Sequence, residues 1–187
     1  IYETISQYRR HADQKICALL NESISAPGGL KLLPRNPHVL EKHSGCPSQG
    51  KRRLCIMASF SATGDVADYV LHNLNSLRAA GFDVVFVTTG AKISAADLAS
   101  LSKICVRVLR RENTGYDFGS WKAGLFEAGV DLKDFNQLLL TNDSYYGPLH
   151  PWLPVLAKAN TDLYGITDSY GIAYHLMSYF VLYNEEI

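Results

Sequence analysis

The run Leu138-Leu139-Leu140 is fully apolar and is followed at once by Thr141-Asn142-Asp143-Ser144. A buried strand that ends so abruptly in a carboxylate can deliver that carboxylate to a bound cation. Magnesium and manganese take oxygen ligands, often one or two carboxylates together with substrate phosphates. A metal held in this way bridges a diphosphate and stabilises it as a leaving group. Asn142 and Ser144 add polar groups on either side of Asp143. The same triplet also suits an Asx-turn that closes the strand, so a metal site and a plain turn both stand at this point.

A second group of polar residues lies in Arg110-Arg111-Glu112-Asn113-Thr114-Gly115-Tyr116-Asp117-Phe118-Gly119. Gly115 and Gly119 permit tight backbone geometry. Asn113 and Asp117 are hydrogen-bonding groups at a loop-to-helix junction, where a helix N-terminus attracts anions. A turn with Asp117 as N-cap is the plainer account. It explains Asp117 but not Asn113, Tyr116 and Trp121 together. A third group is Ser59-Phe60-Ser61-Ala62-Thr63-Gly64-Asp65, whose small hydroxyl residues Ser59, Ser61 and Thr63 let a ligand approach the backbone. Asp65 is expected to cap the helix that follows.

Other chemistry finds little support. No GxGxxG follows the first strand and no GxxxxGK[ST] occurs, so dinucleotide and P-loop readings lose their signature. Ser59, Ser144 and Ser169 lack the GxSxG elbow of hydrolases. His175 reads as a satisfied, partly buried histidine, and the remaining histidines show no ligand spacing such as HExxH. The tyrosines read mostly as amphipathic packing residues, although Tyr145, Tyr146 and Tyr170 stand beside the candidate groups.

The elements that must position these groups alternate. Strands are expected at Leu54–Phe60, Asp83–Thr89, Ile104–Leu109, Phe135–Leu140, Leu163–Thr167 and Ser178–Tyr183. Helices are expected at Val66–Ala80, after Ser94 as N-cap, at Phe118–Ala128 and at Trp152–Ala159. DVVFVTT, nearly all β-branched, suits a strand covered on both faces. Strand–helix alternation argues for an α/β layer with a mainly parallel central sheet and helices on both faces, where ligands bind beyond the carboxyl ends of the strands. Residues 1–50 read differently: helical spacing over Glu3–Glu22, then linker chemistry through Pro27, Gly28, Pro34, Pro37, Gly45, Pro47 and Gly50. The division is thus an N-terminal helix and linker arm, 1–50, and a ligand-binding domain, 51–187. The chain reads as a piece cut from a longer protein, the domain continuing beyond residue 187.

Bulk composition narrows the partners. Eighteen basic residues balance eighteen acidic ones in 187 residues, without the basic surplus of a nucleic-acid-binding protein. No apolar run approaches the roughly twenty residues of a membrane span, and residues 1–10 lack the apolar middle of a signal peptide. Cys17, Cys46, Cys55 and Cys105 show no CxxC spacing, and Cys55 and Cys105 read as small core hydrophobes. A reduced, cytoplasmic protein is expected.

Taken together, the strings resemble the rhamnan-synthesis protein F family. Arg111 to Lys122 (RENTGYDFGSWK) is similar to its RENxGYDFGxWK block, and Leu138 to Leu149 (LLLTNDSYYGPL) to its LLxNDSxxGPL block. Thr167-Asp168-Ser169-Tyr170 and His175-Leu176-Met177-Ser178-Tyr179-Phe180 resemble its TDS and HLQSYF blocks, with Met177 in place of glutamine. The resemblance covers about residues 52–187. It implies a GT-A-like, Rossmann-type layer and a glycosyltransferase of bacterial cell-surface polysaccharide assembly. The implied donor is a nucleoside-diphosphate sugar, dTDP-rhamnose, and the acceptor a glycan or lipid-linked glycan, reached at the inner face of the membrane by peripheral association. Asn142-Asp143-Ser144 takes the place of a DxD motif, with Asp143 the carboxylate for a divalent cation, magnesium or manganese. The resemblance implies that Asn113, Gly115, Tyr116 and Asp117 line nucleotide and sugar, that the Ser59–Gly64 loop lines the base, and that Asp168 is the general base. An inactive module that binds a nucleotide sugar or glycan is the alternative.

Overall fold

The chain is described by a computed structural model over residues 38–171 and 173–184. The helix expected over residues 3–22 and the linker up to residue 37 lie outside the described residues. Residues 36–187 form a compact unit of their own.

The strands are β1 (Val39–Ser44), β2 (Arg53–Ser61), β3 (Phe82–Gly90), β4 (Arg107–Arg111), β5 (Gln137–Asn142), β6 (Leu163–Gly165), β7 (Asp168–Ser169), β8 (His175–Leu176) and β9 (Phe180–Asn184). The helices are α1 (Asp68–Ala79), α2 (Ala95–Ile104), α3 (Tyr116–Glu127) and the short α4 (Leu153–Leu156). Seven strands form one sheet in the order β1-β4-β3-β2-β5-β9-β6, and β7 and β8 form a separate pair. The four inner strands β4, β3, β2 and β5 run parallel. The expected parallel layer is therefore the middle of a mixed sheet, because β1 is antiparallel to β4, β9 to β5 and β6 to β9.

Helices cover both faces, as the apolar inner strands require. On one side, Val70, Leu74 and Leu77 of α1 and Leu101 of α2 join Cys55, Met57, Val84, Phe86 and Val108. On the other, Trp121 and Ala123 of α3 meet Leu54, Ile56, Val85, Val87 and Leu109. The side chains of β2 and β3 thus alternate between two cores with the period-two geometry of a strand.

The element boundaries shift in ways with physical causes. The third expected strand starts at Arg107 rather than Ile104, because α2 continues through Ile104 and closes with the Cys105 amide on the Leu101 carbonyl. Ser94 caps α2 as expected, accepting from the Asp97 amide at 3.1 Å. Asp65 does not cap α1; Ala67 holds that position with no side-chain cap. Within the expected linker, Val39–Ser44 is a strand on the edge of the sheet. Among the described residues, no helix is long and apolar enough to cross a membrane.

Candidate functional site

The chain steps outward from β2 to β3 to β4, then returns to place β5 on the other side of β2. Strand order reverses between β2 and β5, and in open α/β sheets ligands bind beyond the carboxyl ends of the strands at such a switch point. Ser59 stands near the end of β2 and Asp143 directly follows β5. One oxygen of the Asp143 carboxylate, Oδ2, accepts from the Ser59 hydroxyl at 2.6 Å and from the Phe60 amide at 3.2 Å. Hydrogen bonds to an ionised carboxylate are about twice as strong as neutral ones, so this pair fixes where the negative charge sits. Oδ1 stands outside these bonds. The Tyr69 hydroxyl donates to the Asp143 carbonyl at 3.1 Å. Burial raises the pKa of Tyr69 above the usual phenol value, and the charge of Asp143 and the neighbouring Tyr146 push it the same way.

The Asx-turn expected at this strand end is present, and Asn142 makes it. Asn142 Oδ1 accepts from the Ser144 amide at 3.1 Å. The turn therefore leaves the Asp143 side chain to other partners. The buried Asn142 also donates through Nδ2 to the Asp117 carboxylate at 2.7 Å. This ties the end of β5 to the first turn of α3. Trp121 reinforces the tie, its indole N–H donating to the Thr141 carbonyl at 2.8 Å.

Asp117 is not the N-cap. Gly115 holds that position at φ 75°, a left-handed conformation that glycine adopts without steric cost. Tyr116 follows at φ 48°, uncommon for a residue with a side chain, and is 83% exposed. Strained backbone of this kind persists only where its surroundings enforce it. Arg111 supplies the enforcement. Its side chain is fully buried beneath the loop. The guanidinium donates to the carbonyls of Glu112, Thr114 and Tyr116 at 2.5, 2.8 and 2.6 Å, and to the Ser120 hydroxyl at 3.1 Å. Burial lowers its pKa and the charge of Asp117 opposes that shift. Gly119 lets the loop lie this close, since a Cβ there would stand 2.2 Å from the Thr114 carbonyl oxygen and 2.7 Å from Arg111 Nη2.

The remaining expected residues are placed as follows. Ser61 accepts from the Gly64 amide at 2.9 Å and lies 3.4 Å from the Thr63 hydroxyl, so these two groups shape their own loop. Asn113 is exposed on the loop above Arg111. Asp168 opens the β7–β8 pair, exposed and registered against Leu176. His175 is exposed rather than partly buried, its Nδ1 2.9 Å from the Ala173 carbonyl. Direct hydrogen bonds thus form two sets, Ser59 with Asp143, and Asn142 with Asp117 and Ser144, which meet at the adjacent residues Asn142 and Asp143. Arg111 was legible as part of a motif, but no pattern in the sequence signals that its charge turns inward.

Among the described residues, no group of three or more His, Cys, Asp or Glu side chains could cage a metal ion. The donor set at the switch point is the Asp143 carboxylate among neutral oxygens, with the Asp117 carboxylate engaged by Asn142 alongside. That set does not suit an all-protein calcium cage. It fits magnesium or manganese carried by a diphosphate, which uses one or two carboxylates plus phosphate oxygens and water.

No solved structure matches the chain. Virulence protein VirA of Vibrio anguillarum is 36% identical over 90 residues, covering 47% of this chain and 29% of that protein. An uncharacterized protein of Sinorhizobium fredii, y4gN, is 26% identical over 121 residues, covering 61% of this chain and 31% of that protein. The chain thus spans about a third or less of the length of these curated relatives. The family model described as Rhamnan synthesis protein F matches residues 84–187, a segment that includes the Arg111 loop, Asn142-Asp143-Ser144 and the β7–β8 pair. With more than half of its 187 residues matched, the chain belongs to the rhamnan synthesis protein F family.

Proposed function

We propose that this chain is the donor-binding part of a glycosyltransferase on a GT-A-like layer. It transfers rhamnose from a nucleoside diphosphate, dTDP-rhamnose, to a growing cell-surface glycan or lipid-linked glycan. The observation that carries this reading is the single carboxylate of Asp143 held by Ser59 and the Phe60 amide at the reversal of strand order. A diphosphate placed there meets the loop backbone around Asn113, Gly115 and Tyr116, with the buried charge of Arg111 beneath it. Asp143 is the ligand for a magnesium or manganese ion, which when bound neutralises the departing diphosphate. Asp117 and Asn142 orient the sugar, and the loop of Ser59, Ser61 and Thr63 receives the base. Asp168 takes the proton from the acceptor hydroxyl as that oxygen bonds to the anomeric carbon and the nucleoside diphosphate leaves. Work on an intracellular donor and a membrane-bound acceptor places the protein in the cytoplasm, at the inner face of the membrane.

The lone carboxylate in Asn142-Asp143-Ser144 favours a second reading, a module that holds a nucleotide sugar or glycan without turnover. Titration of dTDP-rhamnose with and without manganese, followed by assay of dTDP release with acceptor present, separates the two. Metal-dependent binding with acceptor-dependent release supports the transferase. Binding without release supports the module, and no binding under either condition overturns both donor readings.

A further inference from the structure

We infer that the β7–β8 hairpin is a binding subsite for a neutral glycan, formed by the facing rings of Tyr170 and Tyr174. The inference rests on the acceptor-side role given to Asp168 above and adds the residues that hold the acceptor.

Topology places the hairpin at the right edge of the sheet. Thr141 at the end of β5 pairs with Phe180 at the start of β9, and Gly165 at the end of β6 pairs with Val181. Residues 166–179 therefore leave and rejoin the sheet at the edge where Asp143 stands. The base of the hairpin is anchored there. The Met177 amide donates to the Thr167 carbonyl at 3.1 Å, and the Thr167 and Tyr179 hydroxyls bond directly. The Tyr179 carbonyl accepts from the Thr141 hydroxyl at 2.7 Å, and Leu176 packs over Gly165.

Above this rigid base the aromatic residues lack the cover they would have in a core. Ser169 pairs with His175 and Asp168 with Leu176, so the same register sets Tyr170 opposite Tyr174. Their ring centroids lie 5.1 Å apart, with the planes tilted by 52°. The two residues are 76% and 59% exposed. Two ordered tyrosines offer a large amphipathic surface at little conformational cost. A pyranose ring suits such a surface, because it has apolar C–H faces and a rim of hydroxyls. Asp168 is exposed in β7, two residues before Tyr170, and its carboxylate can accept from a hydroxyl of a sugar bound at the hairpin.

Charge selects among ligands. The hairpin, residues 166–179, carries no Lys or Arg of its own, while the Asp168 carboxylate is exposed on it. Lys122 of α3 lines the groove beside Leu176 and Ser178 at the base of the hairpin, but a hairpin whose own charged side chain is a carboxylate still disfavours phosphates, nucleic acid and anionic lipid headgroups. A neutral polyol carries no such penalty. The donor crevice differs, with Arg111 buried in its floor.

The test is calorimetric titration and saturation-transfer NMR of the 187-residue chain with a neutral rhamnose trisaccharide, beside an acidic heparin tetrasaccharide. No nucleotide is present, so the result does not depend on the donor site. The trisaccharide is expected to bind and the acidic glycan not to. Replacing both rings (Tyr170→Ala with Tyr174→Ala) should weaken binding about tenfold or more, and the matching Phe pair should stay within about threefold of wild type, since stacking on the ring carries the contact. Absence of trisaccharide binding, equal binding of both glycans, unchanged affinity in the Ala pair, or equal loss in the Phe pair would each overturn the inference.

Discussion

The side-chain amide of Asn142 and the carboxylate of Asp117 meet at 2.7 Å, joining the end of β5 to the first turn of α3. Neither residue owes this contact to its own element, since Gly115 holds the cap of α3 and Asn142 closes its turn through Oδ1. A double-mutant cycle with Asn142→Ala and Asp117→Ala should give a coupling in stability of about 1 kcal/mol, within the roughly 0.5–3 kcal/mol seen for residues in contact. Each single variant should also weaken dTDP-rhamnose binding in isothermal titration. Additive stabilities would show that the bond contributes nothing, and unchanged affinity would leave Asp117 a purely structural group.

Asp143→Ala should abolish metal-dependent nucleotide binding while the protein stays folded. The loss of its bonds to Ser59 and the Phe60 amide should lower stability by about 1.5–3 kcal/mol, the range for hydrogen bonds to a charged group. Urea unfolding and nucleotide titration on the same sample separate the two effects. Wild-type nucleotide affinity in the folded variant would remove the metal-ligand role.

Arg111→Lys should be costly despite keeping the charge. A lysine presents three donors from one atom and cannot span the Ser120 hydroxyl and three separate carbonyls. A loss of about 3 kcal/mol or more is expected in urea unfolding, as when a buried charge network is broken. Hydrogen exchange should show the amides of residues 112–116 opening first. Protection equal to wild type would mean that the loop holds its shape unaided.

Tyr145 supplies a pH dependence. Burial pushes its phenol up to about 12, against the opposing pull of hydrogen bonds with Thr141 and Asn73. The unfolded chain releases this proton near pH 10, so Tyr145 contributes its full share of stability below about pH 10. That share falls as pH rises toward about 12, with a slope of at most about 1.4 kcal/mol per pH unit. Unfolding free energies at intervals from pH 9 to 12 should decline less steeply in Tyr145→Phe than in wild type. Parallel curves would show that the phenol is not the group responsible.

The inner strands were legible because Leu54–Phe60 and Asp83–Thr89 are apolar for as long as a strand needs to be buried on both faces. β1 was not, because VLEKHS, set among prolines and glycines, has only two apolar residues, adjacent at its start, so its alternating burial has no counterpart in residue type. The β7 and β8 strands are two residues each, too short for any period to register. At the site, a carboxylate after a leucine run marked Asp143. Its bond to Ser59, 84 residues away, depends on which strands become neighbours, and local spacing does not contain that information. The inward turn of Arg111 was hidden for a related reason: its partners are backbone carbonyls, which every residue type carries.

The pairing of β1 with β4 has a practical consequence for protein production. Val39–Ser44 covers the outer rim of β4 from Arg107 to Arg111, and the His38 carbonyl accepts from the Glu112 amide just beyond. A fragment trimmed at Gly50 would bare a row of unpaired amides and carbonyls running up to the Arg111 loop. Such a rim is a template for a strand from another copy. The trimmed protein would therefore be prone to stacking into aggregates, whereas starting the chain ahead of His38 keeps the rim sealed.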